Sequence, residues 1–291
     1  MNFVNQYRVA PGKKVQLKEY DTADHGDYRK EEAKALLEEQ KEKLYALQEN
    51  LYASKSHSVL ILFQAMDAAG KDSAIEHVMS GVNPQGCQVL SFKRPTSEEY
   101  DHDFLWRHYK ALPEKGKIGI HNRSHYENVL VCKVHPEYIL NERLPGYQSV
   151  TDLNEAFWRN RYESIRHFEE HLAANGTVVI KFFLHVSKEE QKKRLLDRIY
   201  EPSKNWKFSA EDLKERALWD EYMRAYEDAL SETSTERAPW YIIPADKKWF
   251  TRLAISHILV QTLAGLDLNM PVLTKEQAER LEASRLQLEQ E

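Results

Sequence analysis

Leucine spacing predicts one long helix near the start of the chain. From Lys30 to Ala53, the side chains of Leu37, Leu44, Leu47 and Leu51 fall on one helical face, and Glu and Lys fill most other positions. This pattern is typical of an amphipathic helix. We expect the helix to dock on the chain's own domain, and binding of a partner or of a second copy is the alternative.

Four short apolar runs predict β-strands at residues 58–63, 117–120, 177–184 and 240–244. The first run is unbroken and β-branched, which is typical of a strand covered on both faces. Each run but the last is separated from the next by at least one helical pattern, and this alternation indicates parallel strands. The sequence therefore predicts an α/β fold in which helices sandwich a parallel sheet.

Capping residues predict where several helices begin. The predicted starts are Asp152, Ser187 with Glu190 three residues later, and Ser209 with Asp212 three residues later. The last two pairs have the spacing of a capping box, and Gly176 supplies a stop for the helix that begins at Asp152.

The chain contains no repeat, low-complexity segment or Gly/Ser linker. Residues 1–27 are mixed and polar, which predicts an arm or an irregular N-terminal cover. We therefore expect an arm and amphipathic helix over residues 1–54, a main α/β domain over residues 55–265, and a tail or helix over residues 266–291.

Composition restricts the classes of partner. The 291 residues are 42% hydrophobic and carry a formal net charge of −5, so the chain does not resemble a basic nucleic-acid coat protein, and a polyanion would need a local basic patch. The longest apolar runs are far shorter than a membrane span, and the first residues lack a secretory signal. Two cysteines without metal-ligand spacing predict reduced thiols. We expect a cytoplasmic protein with no membrane or nucleic-acid partner.

The segment Ala65–Asp72, called the phosphate loop below, joins the first predicted strand to a helix start. Backbone N–H groups at such a junction bind phosphate. We therefore expect the side chain of Lys71 to place its positive charge next to the bound phosphates. The backbone and side chains expected to contact phosphate or nucleotide are those of Ala68, Ala69, Gly70, Asp72 and Ser73. An ordinary polar turn is the alternative.

Two departures from the common phosphate-binding pattern are informative. Ala65 replaces the first glycine, which is tolerable if its φ stays negative. Asp72 replaces the hydroxyl residue that usually binds Mg²⁺, so Asp67 becomes the candidate metal residue.

Five further strings resemble the polyphosphate kinase 2 family, in the same order as in that family. The phosphate loop and its flanks also match that family. In chain order, the five further strings are Leu105–His108, Asn122–Glu127, Asn205–Phe208, Asp212–Arg216 and Ala238–Asp246. The resemblance covers roughly residues 55–265. It implies a P-loop kinase-like fold with a helical lid, and transfer of phosphoryl groups between inorganic polyphosphate and nucleotides (AMP, ADP and ATP) with Mg²⁺, or Mn²⁺ as the alternative ion. The family is commonly oligomeric, so we expect a homo-oligomer.

The resemblance also implies a subclass. Asn122 with Glu127 is similar to class III, which accepts both AMP and ADP, whereas His121 and Asn128 depart from the expected Phe and Asp.

Chemistry suggests individual roles for these residues. Phosphoryl transfer mainly requires alignment of two phosphates and neutralisation of their charge. We expect Asp67 and Asn122 to hold the metal ion, and Arg123 to supply a bidentate donor pair. Glu127 completes the catalytic set with Lys71. His125 suggests a covalent phosphohistidine, but a structural hydrogen bond is our prediction for it.

A local surplus of positive charge marks the predicted lid at about residues 188–207. Residues 181–207 hold eight Lys and Arg against four Asp and Glu, a surplus of four. Arg194 and Arg198 lie four apart on a helix, so both can face the same phosphates. We expect them to bind polyphosphate, with Lys93 and Arg94 lining a second stretch; a solvated helix face is the alternative.

Two rival functions remain open from the sequence. The nearest is an ATP-dependent nucleotide kinase on the same fold, and the other is a polyanion-binding module without catalysis. A carboxylate at Asp67, among amides that bind phosphate, favours metal-dependent chemistry over mere binding.

Overall fold

The computed structural model describes residues 3–291 and contains one five-stranded parallel sheet. The strands are β1 Ser58–Gln64, β2 Cys87–Ser91, β3 Ile118–Asn122, β4 Thr177–His185 and β5 Trp240–Pro244. Their order across the sheet is β2-β3-β1-β4-β5, and every neighbouring pair is parallel. The predicted α/β class and parallel sheet are therefore confirmed.

Helices connect and cover the strands. The α-helices are α1 Phe3–Tyr7, α2 Lys30–Ser54, α3 Lys71–Val78, α4 Ser97–Tyr100, α5 Trp106–Tyr109, α6 Val131–Val134, α7 Glu155–Ala174, α8 Lys188–Tyr200, α9 Glu211–Ala217, α10 Trp219–Thr233, α11 Lys248–Ala264 and α12 Lys275–Leu288. Helix α11 packs against α2 and α3, whereas α7 packs against β4 and α10. All seven residues of β1 are buried, as expected for a central strand covered on both faces.

Strand β2 is the sheet element that the hydrophobic pattern did not predict. It lies at the edge of the sheet, beside β3. Its sequence is short and mixed, and none of its residues is fully buried; Val89 is 49% exposed. An edge strand with so little buried surface has almost no hydrophobic signature.

From residue 3 onwards, the N-terminal segment packs on the domain as a largely irregular cover, which is the second of the two predicted forms. Phe3 and Tyr7 of α1 are buried in the main core, and Val9 is completely buried. Arg8 forms an antiparallel bridge with Tyr241 of β5. These contacts join residues more than 200 positions apart, which explains why local periodicity did not reveal them.

Helix α2 docks on the chain's own domain, as predicted. It runs along α11. Leu37, Leu44 and Leu51 are buried on the docked face, whereas Leu47 is only partly buried.

Of the three predicted helix starts, Asp152 is wrong and Ser187 is confirmed. Ser209 is followed by a helix two residues later, and its side chain accepts from Glu211 N–H at 3.2 Å and not from Asp212. Helix α7 begins after Asn154, whose side chain caps Phe157 N–H, while Asp152 belongs to the preceding 3₁₀ turn. Ser187 caps α8 by accepting from Glu190 N–H at 3.1 Å. Ser209 lies before the actual cap of α9.

Two further observations concern the helices and the cysteines. Among residues 3–291, no helix is both long and apolar enough to cross a membrane. Cys87 and Cys132 are free thiols.

Candidate active site

The carboxyl ends of β1 and β3 bring the phosphate loop beside the segment that follows β3. Phe63 is the register partner of Asn122, and Arg123 N–H donates to Phe63 O at 3.2 Å. In open α/β sheets, ligands bind in the crevice at this edge of the strands. The two strings that the sequence singled out therefore meet at one site.

The phosphate loop takes a left-handed turn before α3. Gly70 has φ 105° and Ala68 has φ 59°, while Ala65 keeps a negative φ. The negative φ of Ala65 meets the condition under which alanine can replace the first glycine. The first-turn N–H groups of α3, beginning at Lys71, have no acceptor within their own helix and form an anion-binding end.

The Lys71 side chain contacts the backbone of the phosphate loop and lies close to both positive and negative side chains. Its Nζ donates to Ala65 O at 2.8 Å. Burial and the neighbouring Arg123 guanidinium lower the pKa of the Lys71 ammonium group, and the carboxylates of Asp67 and Glu127 oppose that shift. This arrangement provides a positive charge in a confined position at the loop.

Asp67, Arg123 and Glu127 form a charged cluster where the two loops meet. Arg123 Nη2 donates to Asp67 Oδ1 at 2.9 Å, and Arg123 Nη1 lies 3.7 Å from Glu127 Oε2. The Glu127 carboxylate is the main cause of a raised pKa at Arg123. Burial raises the pKa of Glu127, although Arg123 and Lys71 counteract it. Arg123 itself has a left-handed φ of 63°, so its backbone is strained at the site.

Asn122 and Asp72 are joined directly. Asn122 Nδ2 donates to Asp72 Oδ1 at 2.5 Å. Within residues 3–291, no group of three or more His, Cys, Asp and Glu side chains is arranged to hold a metal ion. Mg²⁺ needs only one or two carboxylates when water and phosphate oxygens complete its shell. Asp67 and Asp72 on the loop, with Asn122 beside them, fit that requirement.

Two cavities meet at the charged cluster. The basic cavity, about 540 Å³, follows the phosphate loop, and its lysines and arginines outnumber its aspartates nine to three. The aromatic cavity, about 460 Å³, contains six Phe and Tyr side chains, and its Asp and Glu outnumber its Lys and Arg eight to four. Asp67, Arg123, Lys93 and Arg94 line both.

The predicted lid arginines line the basic cavity but have other partners. Arg198 Nη1 donates to Asp212 Oδ2 at 2.7 Å. Arg194 is 5% exposed, and its N–H groups donate to backbone carbonyls and to Glu190. Binding of polyphosphate by either arginine stays a prediction. Lys181, which was counted in the basic surplus, is completely buried in β4 and does not belong to this surface.

His125 belongs to a buried hydrogen-bond network. It is completely buried, with Nε2 3.3 Å from Glu169 Oε1. Lys181 Nζ donates to Glu169 Oε2 at 2.5 Å and to Tyr126 OH at 2.8 Å. Burial lowers the pKa of His125, so the ring is neutral near pH 7. The predicted structural hydrogen bond is confirmed.

Three residues that the sequence did not assign to the site line its cavities. Asp212 and Glu215 of α9 line the aromatic cavity, and Lys248 at the start of α11 lines the basic cavity. Burial and the nearby Asp67 carboxylate raise the pKa of Asp212. The sequence had singled out Asp212–Arg216 only for its resemblance to the family. For Lys248, the one feature that could have indicated a place in the site is its position shortly after the end of a strand.

The chain is similar over most of its length to a known family. The family model described as Polyphosphate kinase 2 (PPK2) matches residues 27–271. The chain is 52% identical over 284 residues to the ADP-polyphosphate phosphotransferase of Rhodopseudomonas palustris, covering 97% of each chain. It is 46% identical over 270 residues to the AMP/ADP-polyphosphate phosphotransferase of Meiothermus ruber, covering 92% of this chain and 96% of the relative.

A solved structure extends the likeness to three dimensions. The crystal structure of polyphosphate kinase 2 from Arthrobacter aurescens TC1 matches with a TM-score of 0.86 at 40% identity, covering 97% of this chain and 96% of that one.

Proposed function

The chain belongs to the polyphosphate kinase 2 family, and we propose that it transfers phosphoryl groups between inorganic polyphosphate and AMP or ADP, forming ADP or ATP. The relative from Rhodopseudomonas palustris is named for ADP alone, whereas the one from Meiothermus ruber is named for AMP and ADP. Asn122 and Glu127, the two residues that resemble class III, support use of both acceptors.

The observation that carries this function is the opposite character of the two cavities that meet at Asp67 and Arg123. A polyanion is favoured in the basic cavity, where nine positive side chains face three negative ones. The base and ribose of a nucleotide are uncharged and form hydrogen bonds and stacking contacts, which suits the acidic and aromatic cavity. Donor and acceptor phosphates can therefore approach each other from two sides of one charged cluster.

The chain's own residues then act mainly by alignment and charge neutralisation. An acceptor phosphate of AMP or ADP is already ionised near neutral pH, so no strong general base is required. Lys71 and the first-turn N–H groups of α3 would hold the donor phosphates. Arg123, fixed by Asp67 at 2.9 Å, would contact the group in transfer. Glu127 supports Arg123 from its other side.

We also propose Mg²⁺ as the cofactor, with Asp67 and Asn122 as the residues that hold it and Asp72 beside them. The pairing of Asp72 with Asn122 and the position of Asp67 on the same loop support this assignment. A bound Mg²⁺ would neutralise phosphate charge and help to align the two phosphates. Mn²⁺, which also takes oxygen ligands, is the alternative ion.

The cellular setting and assembly belong to the same proposal. A net charge of −5 supports the absence of a nucleic-acid partner, and two free thiols support a cytoplasmic location. We propose a homo-oligomer on the basis of the family resemblance, and light scattering of the purified chain would measure its size.

Incubation with AMP, Mg²⁺ and polyphosphate tests the proposed function. We expect ADP and then ATP by chromatography, and their loss on addition of EDTA. Lys71→Ala should abolish the products, whereas Lys43→Ala, on the exposed face of α2, should leave them unchanged. Product from AMP only when ATP replaces polyphosphate would establish the nucleotide-kinase alternative, and binding without any product would establish the polyanion-binding alternative.

A further inference from the structure

The carbonyl groups of three successive phosphate-loop residues accept hydrogen bonds from α8. Gln191 Nε2 donates to Asp67 O at 3.0 Å. Arg194 Nη1 donates to Ala68 O at 3.3 Å and to Ala69 O at 2.6 Å. In a trans peptide the N–H group points opposite to the carbonyl group, so these contacts turn the N–H groups of the same peptides away from α8. The helix thereby sets the direction of the loop amides.

The loop conformation requires such support. Ala68 has a left-handed φ of 59°, although it is not glycine. A non-glycine residue in this region is strained and persists only when its surroundings fix it. The carbonyls on both sides of the Ala68 α-carbon, those of Asp67 and Ala68 itself, are two of the three that accept from α8.

Arg194 uses its whole guanidinium group for this purpose. Arg194 Nε donates to Glu190 Oε1 at 2.9 Å, and Nη2 donates to Ala245 O at 2.6 Å and Asp246 O at 3.1 Å. With the two Nη1 contacts, these account for all five N–H donors of an arginine. A phosphate could bind this side chain only by displacing contacts that tie the phosphate loop to the loop after β5.

Gln191 is oriented by a second arginine. Its side-chain oxygen accepts from Arg216 Nη1 at 2.7 Å, and Arg216 also donates to Lys188 O at 2.7 Å. Because a guanidinium can only donate, Gln191 must present its oxygen to Arg216 and its NH₂ group to Asp67 O. Gln191 is 1% exposed, so water does not replace these partners. The chain of contacts links α9, which lines the aromatic cavity, to the phosphate loop.

We propose that Gln191 and Arg194 are positioning residues for phosphoryl transfer, and that Arg216 orients Gln191 for this task. They act through the backbone of Asp67, Ala68 and Ala69 and do not bind polyphosphate themselves. The inference rests on the proposed function, because the reaction supplies its kinetic test. It assigns to Arg194 a role different from the phosphate contact that its charge and helical spacing predict.

The test uses Gln191→Glu, which keeps the acceptor for Arg216 but removes the donor to Asp67 O. We expect kcat to fall at least about tenfold while the KM for polyphosphate changes less than about threefold, since misaligned phosphates react slowly even when bound. Arg194→Lys, which keeps the charge but not the fork of donors, should give the same split. Arg224→Lys, at an exposed position of α10 that lines neither cavity, is the control and should behave as wild type.

Amide hydrogen exchange at Ala69 and Ala74, whose N–H groups donate to Met66 O at 3.2 Å and to Gly70 O at 2.9 Å, supplies a measurement independent of activity. We expect exchange in Gln191→Glu to be at least about tenfold faster than in wild type. Thermal unfolding identifies any variant that does not fold, and Gln191→Met, which removes both hydrogen bonds, then takes its place.

Two results would overturn the inference. One is an increase in the KM for polyphosphate at constant kcat in Arg194→Lys, which would indicate direct binding. The other is unchanged kcat and unchanged amide exchange in Gln191→Glu. If the wild-type protein forms no product from polyphosphate, the proposed function fails, and the exchange measurement still decides whether α8 fixes the loop.

Discussion

Arg123 Nη2 donates to Asp67 Oδ1 at 2.9 Å, so a side chain that follows β3 is fixed by a side chain of the phosphate loop. The two residues come from segments 56 positions apart, and both line the two cavities. In this arrangement Asp67 can place Arg123 and still lie at the junction where the phosphates would meet.

Replacement of Asp67 by asparagine should lower activity strongly with little effect on folding. Asp67→Asn keeps the shape of the side chain but removes the charge that holds Arg123. It also removes one carboxylate of the proposed metal site. We expect kcat to fall about 10²–10³-fold, as for loss of one preorganised electrostatic contact. Steady-state rates with polyphosphate and ADP provide the measurement.

The matched control is Asp228→Asn, which removes an exposed carboxylate paired with Lys133. It should retain wild-type rates. Similar rates for the two variants would show that Asp67 has no special part in transfer.

Removal of one partner from the buried pair of Lys181 and Glu169 should lower the free energy of unfolding strongly. Both side chains are at most 1% exposed, and the ion pair measures 2.5 Å. Burial alone would raise the pKa of Glu169, but Lys181 outweighs it and keeps the carboxylate ionised. Lys181→Met leaves that charge unpaired, and we expect the free energy of unfolding to fall by about 3–5 kcal/mol in urea titrations.

The double variant Lys181→Met with Glu169→Gln removes both charges. It should be more stable than Lys181→Met alone, because no unpaired charge stays buried. A double variant less stable than that single variant would contradict this account.

The sequence predicted those parts of the fold in which buried residues form a hydrophobic pattern within one short segment of the chain. The run at Ser58–Phe63 gave β1 because a central strand is apolar at nearly every position, and α2 was evident from its leucines. Strand β2 was missed because an edge strand buries little. The core position of Tyr7 was missed because its partners, such as Phe250, lie far along the chain.

The site was predictable where its chemistry is contiguous in the sequence, as in the phosphate loop and the Asn122–Glu127 string. It was less predictable where charge alone was the signal. Lys181 was counted as part of a basic surface. Its side chain is in fact completely buried and pairs with Glu169, twelve residues earlier in the chain. Arg194 has the spacing of a phosphate ligand, but a sequence does not reveal that its donors turn towards loop carbonyls.

His121 should make the protein less stable in mild acid. The side chain is completely buried, and burial lowers its pKa to about 4. The folded protein therefore keeps His121 neutral, whereas the unfolded chain takes up a proton as the pH falls below about 6.5. Stability that is present above pH 6.5 is lost progressively between pH 6.5 and pH 4.

His121→Phe removes this titration. Between pH 7 and pH 5, we expect the variant to lose about 2 kcal/mol less unfolding free energy than wild type, measured by urea titration at both values. His108 and His125 should preserve part of the acid sensitivity, because burial also lowers the pKa of each ring. An identical loss in variant and wild type would remove His121 from this explanation.

A carboxylate at position 122 should strengthen the binding of the proposed Mg²⁺ ion. Asn122 lies beside Asp72, with Nδ2 and Oδ1 2.5 Å apart, so Asn122→Asp places two carboxylates together. More negative charge at the site favours the cation. We expect the half-saturating Mg²⁺ concentration to fall about three- to tenfold in rate titrations. Asn128 lines the aromatic cavity but not the basic cavity, so Asn128→Asp serves as the comparison. An equal shift in that variant would refute a specific role for Asn122.

Phosphoryl transfer should proceed without a phosphohistidine at His125. The ring is completely buried, and Nε2 lies 3.3 Å from Glu169, so a polyphosphate chain in the basic cavity cannot reach it. His125→Gln should retain transfer at a rate within about tenfold of wild type while lowering the unfolding temperature, because the buried network loses one member. Wild-type protein quenched during turnover with radiolabelled polyphosphate should carry no acid-labile label. Label on the wild-type protein that is absent from His125→Gln, together with loss of transfer in that variant, would establish the covalent route instead.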